Sequence, residues 1–115
     1  MTNRIEMQID QLGHFEEQVL TMVAILGDEA YGNAIVESFQ DQLGKSVNLS
    51  SVHVTLYRLE DKGLVKSRMG GATNARGGRR KRIFTISNAG LAALQLLKSS
   101  REQLWKLLPQ LKFSI

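Results

Sequence analysis

Gly27, Gly44 and Gly63 each end a stretch of helical apolar periodicity, so the first half of the chain has to fold as three short helices. Phe15, Val19, Met22, Val23 and Leu26 recur at three- and four-residue spacing up to the first glycine. Ile35, Phe39 and Leu43 repeat every four residues up to the second, which predicts a helix over residues 31–43. After a connector at residues 45–49, Ser50 is read as the cap of a third helix with Val52, Leu56 and Leu59 as its buried stripe.

The period then changes. Residues 64–69 and 81–86 read as strands around an eleven-residue tip, 70–80, that holds four glycines and no large apolar side chain. Ser87 can cap a final helix, along which Leu94, Leu97, Arg101, Leu104, Leu108 and Leu111 are spaced by threes and fours, with Pro109 expected to end or kink it near Leu108. The order is helix, helix, helix, strand, loop, strand, long helix. It predicts a mainly α fold with a two-stranded β wing: a winged helix-turn-helix followed by a long C-terminal helix. The expected division is an arm at 1–12, the winged domain at 13–87 and the C-terminal helix at 88–115, with no repeat or linker.

Charge singles out one segment. The net charge is +4, yet residues 1–43 carry one cation against eight acids, residues 44–85 ten against two, and residues 86–115 four against one. A +8 middle segment is what a polyanionic partner requires. There is no cysteine, which excludes disulfides and thiolate chemistry. The apolar runs are too short to span a bilayer and the start MTNRIEMQID lacks the pattern of a secretion signal, so a cytoplasmic protein without membrane association is expected. Neither a nucleophile paired with a base nor a phosphate-binding loop is apparent, so neither an enzyme nor a cofactor is expected; a winged helix that binds only protein is the alternative. RNA is disfavoured by the lack of an aromatic stacking platform.

The third helix is the candidate reader of double-stranded DNA. At 100° per residue, His53, Val54, Tyr57, Arg58 and Asp61 fall opposite the buried stripe. Arg58 suits a phosphate or a guanine edge, His53 and Tyr57 can donate to either, and Val54 fits a thymine methyl. Arg58 as a solvated charge and Tyr57 as a packing residue are the competing readings. Ser50 and Ser51 lie where free amides and the helix dipole favour a phosphate. In the wing, Arg76, Gly77, Gly78, Arg79, Arg80, Lys81 and Arg82 place five cations in seven residues, with glycines that let the backbone approach a phosphate. Strand alternation would put Arg80 and Arg82 on one face and Lys81 and Ile83 on the other. His53 has no cysteine or clustered carboxylate beside it, so no metal site is expected, and His14 is read as structural.

The stretches Leu12-Gly13-His14-Phe15-Glu16, Ala30-Tyr31-Gly32, VHVTLYRLEDKGLV at 52–65, RGGRRKRIFTIS at 76–87 and Ser87-x-x-Gly90 together resemble the PadR family of bacterial transcriptional regulators, in its short form, over about residues 12–108. The resemblance implies a homodimer, usually a repressor, released from its operator by a small molecule or stress signal. Members commonly carry tyrosine where this chain has His53, which bears on the details of base contact.

Leu94, Leu97, Leu104, Leu108 and Leu111 expose more apolar surface than one small domain covers, so pairing with a second copy is expected; packing on the first helix is the alternative. Two reading helices about one DNA turn apart would recognise a palindrome. Family effector pockets lie near the dimer interface, where Trp105 is placed either to stack on a small apolar or aromatic ligand or simply to pack.

Overall fold

A computed structural model describes residues 12–70 and 80–109. Most of the expected N-terminal arm, the wing residues Arg76, Gly77, Gly78 and Arg79, and Leu111 lie outside the described residues. The elements are α1 (His14–Leu26), a 3₁₀ turn (Gly27–Glu29), α2 (Gly32–Leu43), α3 (Leu49–Asp61), β1 (Val65–Met69), β2 (Arg82–Ile86) and α4 (Asn88–Lys106). This is the expected order. Leu64 and Lys81, expected as strand residues, fall just outside β1 and β2.

The first three helices close around one core. Val19, Leu20 and Val23 of α1, Ile35 and Phe39 of α2, and Val52, Leu56 and Leu59 of α3 are fully buried. Thr55 joins the α3 stripe at 5 % exposure, completing the i, i+3, i+4, i+7 face of a helix packed on two neighbours. Leu43 does not join the core: as the last residue of α2 it is 50 % exposed. Phe15 stacks on Phe39 with centroids 5.4 Å apart, and the Lys45 ammonium lies 5.3 Å from the Phe15 centroid.

The cap of α3 corrects the sequence reading. Asn48, not Ser50, is the N-cap, and its Oδ1 accepts from the amides of Ser50 at 2.7 Å and Ser51 at 3.3 Å. Asparagine caps as well as serine does, and the helix starts two residues earlier than the apolar stripe suggests. Ser50 and Ser51 therefore sit inside the first turn with their amides already satisfied, leaving only their hydroxyls for a ligand.

At the other end of α3, Gly63 at φ +75° turns the chain, and the Leu64 amide reaches back to the Leu59 carbonyl at 2.9 Å. The Ser87 hydroxyl donates to the Gly63 carbonyl at 2.7 Å and accepts from the Gly90 amide at 3.0 Å, so the expected cap of α4 also ties that helix to the α3 turn. A Cβ on Gly90 would collide with the Leu64 carbonyl oxygen and Ile86 Cγ1. The Ser-x-x-Gly pattern is thus one joint between α3, the wing and α4.

β1 and β2 pair antiparallel, with Val65 opposite Ile86 and Met69 opposite Arg82. Phe84 anchors the wing in the core, and its amide donates to the Ala30 carbonyl at 2.8 Å. α4 returns along α1. Ala93 is buried, Leu94 packs against the core, and Arg101 forms an ion pair with Glu17.

Candidate nucleic-acid interface

His53, Val54, Tyr57, Arg58 and Asp61 all lie exposed on α3, as the helical spacing predicts. Behind His53 the backbone is unusually close: a Cβ on Gly32 would overlap the imidazole and come within 2.9 Å of Leu49 Cδ1. Glycine at the first residue of α2 thus lets α3 settle against the start of α2. Tyr57 meets Phe84 edge-on, with centroids 6.1 Å apart. The packing reading holds, since the ring packs on the wing anchor, and the residue stays 47 % exposed.

A cleft of about 340 Å³ runs between α3 and the base of the wing. Leu49, His53 and Tyr57 form one wall, Tyr31, Gly32 and Asn33 the second, and Arg80, Lys81, Arg82 and Phe84 the third. Among the described residues, three cations and no carboxylate line it. The alternation expected for Arg80, Lys81 and Arg82 does not hold, because only Arg82 lies in the strand; the two residues before it are free of the period-two constraint and all three reach the same cleft.

The cations differ in how they are held. The Lys81 ammonium lies 4.0 Å from the centroid of the Tyr31 ring. Arg82 donates to the Ser67 hydroxyl at 3.0 Å, and that hydroxyl donates to Glu60. Ser50, Ser51, Val54 and Arg58 lie outside the cleft on the exposed face of the same helix. Arg58 faces the acid end of α1: burial pushes the Glu16 carboxyl up, but hydrogen bonds from Lys62 and the Gly13 amide, with the charges of Lys62 and Arg58, outweigh it and hold Glu16 below the ordinary glutamate range. Tyr31 and Asn33 were missed by sequence reasoning. Tyr31 stands in the Ala30-Tyr31-Gly32 motif, but nothing in helical spacing links it to the wing.

The second surface is the end of α4 and the turn that follows it at residues 107–108. Leu104, Trp105, Leu107 and Leu108 are 64, 70, 77 and 48 % exposed, whereas Leu94 and Leu97 are half-buried within the chain. The expected leucine face therefore divides: its first turns serve the fold of one chain and its last turns are bare. Arg101, placed in the leucine repeat by spacing, pairs with Glu17, which raises the affinity of the guanidinium for its proton. Trp105 borders a shallow depression of about 280 Å³ with Arg101, Glu102 and Lys106. Among the described residues, no single helix is long and apolar enough to cross a membrane, and no three His, Cys, Asp or Glu side chains cluster to hold a metal ion.

Three core helices, a two-stranded wing and a long following helix define a winged helix-turn-helix protein. The sequence model of the transcriptional regulator PadR-like family matches residues 20–96, and the chain belongs to that family, a family of transcription regulators rather than enzymes. Solved structures agree on the fold. A PadR family transcription regulator from hypervirulent Clostridium difficile superposes with a TM-score of 0.67 at 22 % identity, covering 83 % of this chain and 94 % of that one. A PadR-like transcription factor from Bacteroides fragilis gives a TM-score of 0.70 at 16 % identity, covering 90 % and 94 %. Bacillus subtilis PadR, solved in complex with operator DNA, gives 0.58 at 20 % identity; the match covers 88 % of this chain and 51 % of that longer one. Comparison with curated proteins gave no match.

Proposed function

We propose that the protein is a sequence-specific double-stranded DNA-binding regulator that acts as a homodimeric repressor of a palindromic operator and is released by a small-molecule or stress signal. The observation that carries this reading is the joint surface of α3 and the wing base, where exposed His53 and Tyr57 share a carboxylate-free cleft with Arg80, Lys81 and Arg82. Reading falls to His53, Val54, Tyr57 and Arg58, with the Ser50 and Ser51 hydroxyls beside them, while Arg76, Gly77, Gly78, Arg79, Arg80 and Lys81 grip phosphates. The operator complex of Bacillus subtilis PadR, which shares the fold, supports the choice of partner.

The bare end of α4 supports pairing through Leu104 and Leu108, with Leu111 continuing the spacing. Trp105, exposed beside them, is the proposed effector contact, for a planar apolar ligand. The protein works in the cytoplasm, where its DNA lies.

Selection of duplexes from a random pool, followed by anisotropy titration of the recovered sequence, tests the reading. The expected result is a palindromic consensus bound with an affinity that falls about 10³- to 10⁵-fold between 50 and 200 mM salt, as six to ten phosphate contacts require. Recovery of no consensus and a salt-independent signal would overturn it. For the effector, fluorescence of the single tryptophan should change on addition of the compound that releases the duplex.

A further inference from the structure

Two backbone hydrogen bonds fix the neck of the wing. The Gly70 amide donates to the Lys81 carbonyl at 2.6 Å, and the Phe84 amide donates to the Ala30 carbonyl at 2.8 Å. The second brings β2 against the turn that leads into α2, and Tyr31 is the next residue of that turn. Its half-buried ring lies beneath the Lys81 ammonium, 4.0 Å from centroid to nitrogen. An ammonium over the face of an aromatic ring is attracted by the ring's quadrupole.

We infer that Tyr31 is a positioning residue for DNA binding: its ring holds the Lys81 ammonium at the mouth of the cleft, so that the wing base and the reading helix meet the DNA backbone as one preformed surface. The inference rests on the DNA-binding reading above. A lysine side chain on an open loop loses much rotamer freedom when it engages a phosphate, and a lysine already seated loses less. Seating does not consume the cation. An ammonium has three N–H donors, and one face toward the ring leaves the others for phosphate oxygens. The ring also stands across the cleft from His53 and Tyr57, so the held charge lies beside the reading helix.

The test is a double-mutant cycle on the full chain, with the duplex that the wild-type protein recovers from a random pool as the probe. Tyr31→Phe keeps the ring and should bind within about twofold of wild type. Tyr31→Leu should weaken binding about five- to thirtyfold, the size of two cation–π contacts, one per copy of the chain, expressed as affinity. Lys81→Met should weaken it further and lower the magnitude of the salt slope by about two, one for each copy of the chain on the duplex.

The decisive outcome is non-additivity, with Tyr31→Leu costing nothing more once Lys81 is methionine. A general loss of fold would weaken binding equally in both backgrounds, and Tyr31→Met, with thermal unfolding measured alongside, guards against that. Equal losses from Tyr31→Leu in both backgrounds, or from Tyr31→Phe and Tyr31→Leu alike, would overturn the inference while leaving the DNA reading in place. Failure of the wild-type protein to bind any duplex would remove both.

Discussion

At the scale of single residues, the joints between elements are closely packed. Gly90 is the sharpest case, because the atom that an added methyl would strike is the Leu64 carbonyl oxygen, part of a backbone held by hydrogen bonds and unable to swing aside. Gly90→Ala should destabilise the chain by about 1–3 kcal/mol, the usual cost of overpacking, measured as a lower midpoint in urea. Glu16 sets an acid limit. Its carboxyl is held lower in the folded chain than in the unfolded one, chiefly because the Lys62 hydrogen bond, the Gly13 amide and nearby positive charge outweigh burial. Its stabilising contribution is complete above the ordinary value of 4.5 and is lost as pH falls through the lowered folded value. Urea midpoints should therefore drop on acidification below about pH 4.5, and Glu16→Gln should flatten that part of the profile.

At the scale of elements, the cap of α3 separates two side chains that the sequence alone confuses. Asn48→Ala removes the acceptor for two amides and should cost about 1 kcal/mol, whereas Ser50→Ala should leave stability nearly unchanged. Thermal unfolding of the two variants side by side distinguishes them. The same comparison explains how much was legible. Periodicity ending at glycines placed the first three helices, the Ser87 cap and the leucine spacing placed α4, and the stripe Val52, Leu56, Leu59 oriented α3 correctly because a helix packed on one side leaves its polar side readable. The cap was misplaced because Asn48 and Ser50 are both good capping residues and only backbone geometry chooses between them. Tyr31 and the partition of the α4 leucines were invisible for a different reason: each depends on which distant segment arrives alongside, and spacing along one element carries no record of that.

At the scale of the whole molecule, the two proposed functions lie on different elements, and α1 packs against both. α3 packs on one side of α1, while the Arg101–Glu17 pair fastens α4 to the same helix. Pairing and reading are then geometrically linked. Leu104→Glu places a charge in the bare α4 face and should convert a dimer to a monomer in sedimentation, with affinity for a palindromic duplex falling by about 10²-fold or more as the second reading helix is lost. Thermal stability of the monomer should change little, because Leu104 is 64 % exposed within one chain. A dimeric Leu104→Glu variant would place the pairing surface elsewhere.

In the proposed dimer, the bare end of α4 also makes occupancy of the operator a matter of dosage. A chain that has to find its twin before it can span two half-sites fills them in proportion to the square of its concentration while dimers are scarce. Halving the amount of protein in the cell then removes about three quarters of the bound complex in that regime. Under the proposed reading, pairing through Leu104 and Leu108 gives the regulated gene a threshold that a change in synthesis rate alone can cross.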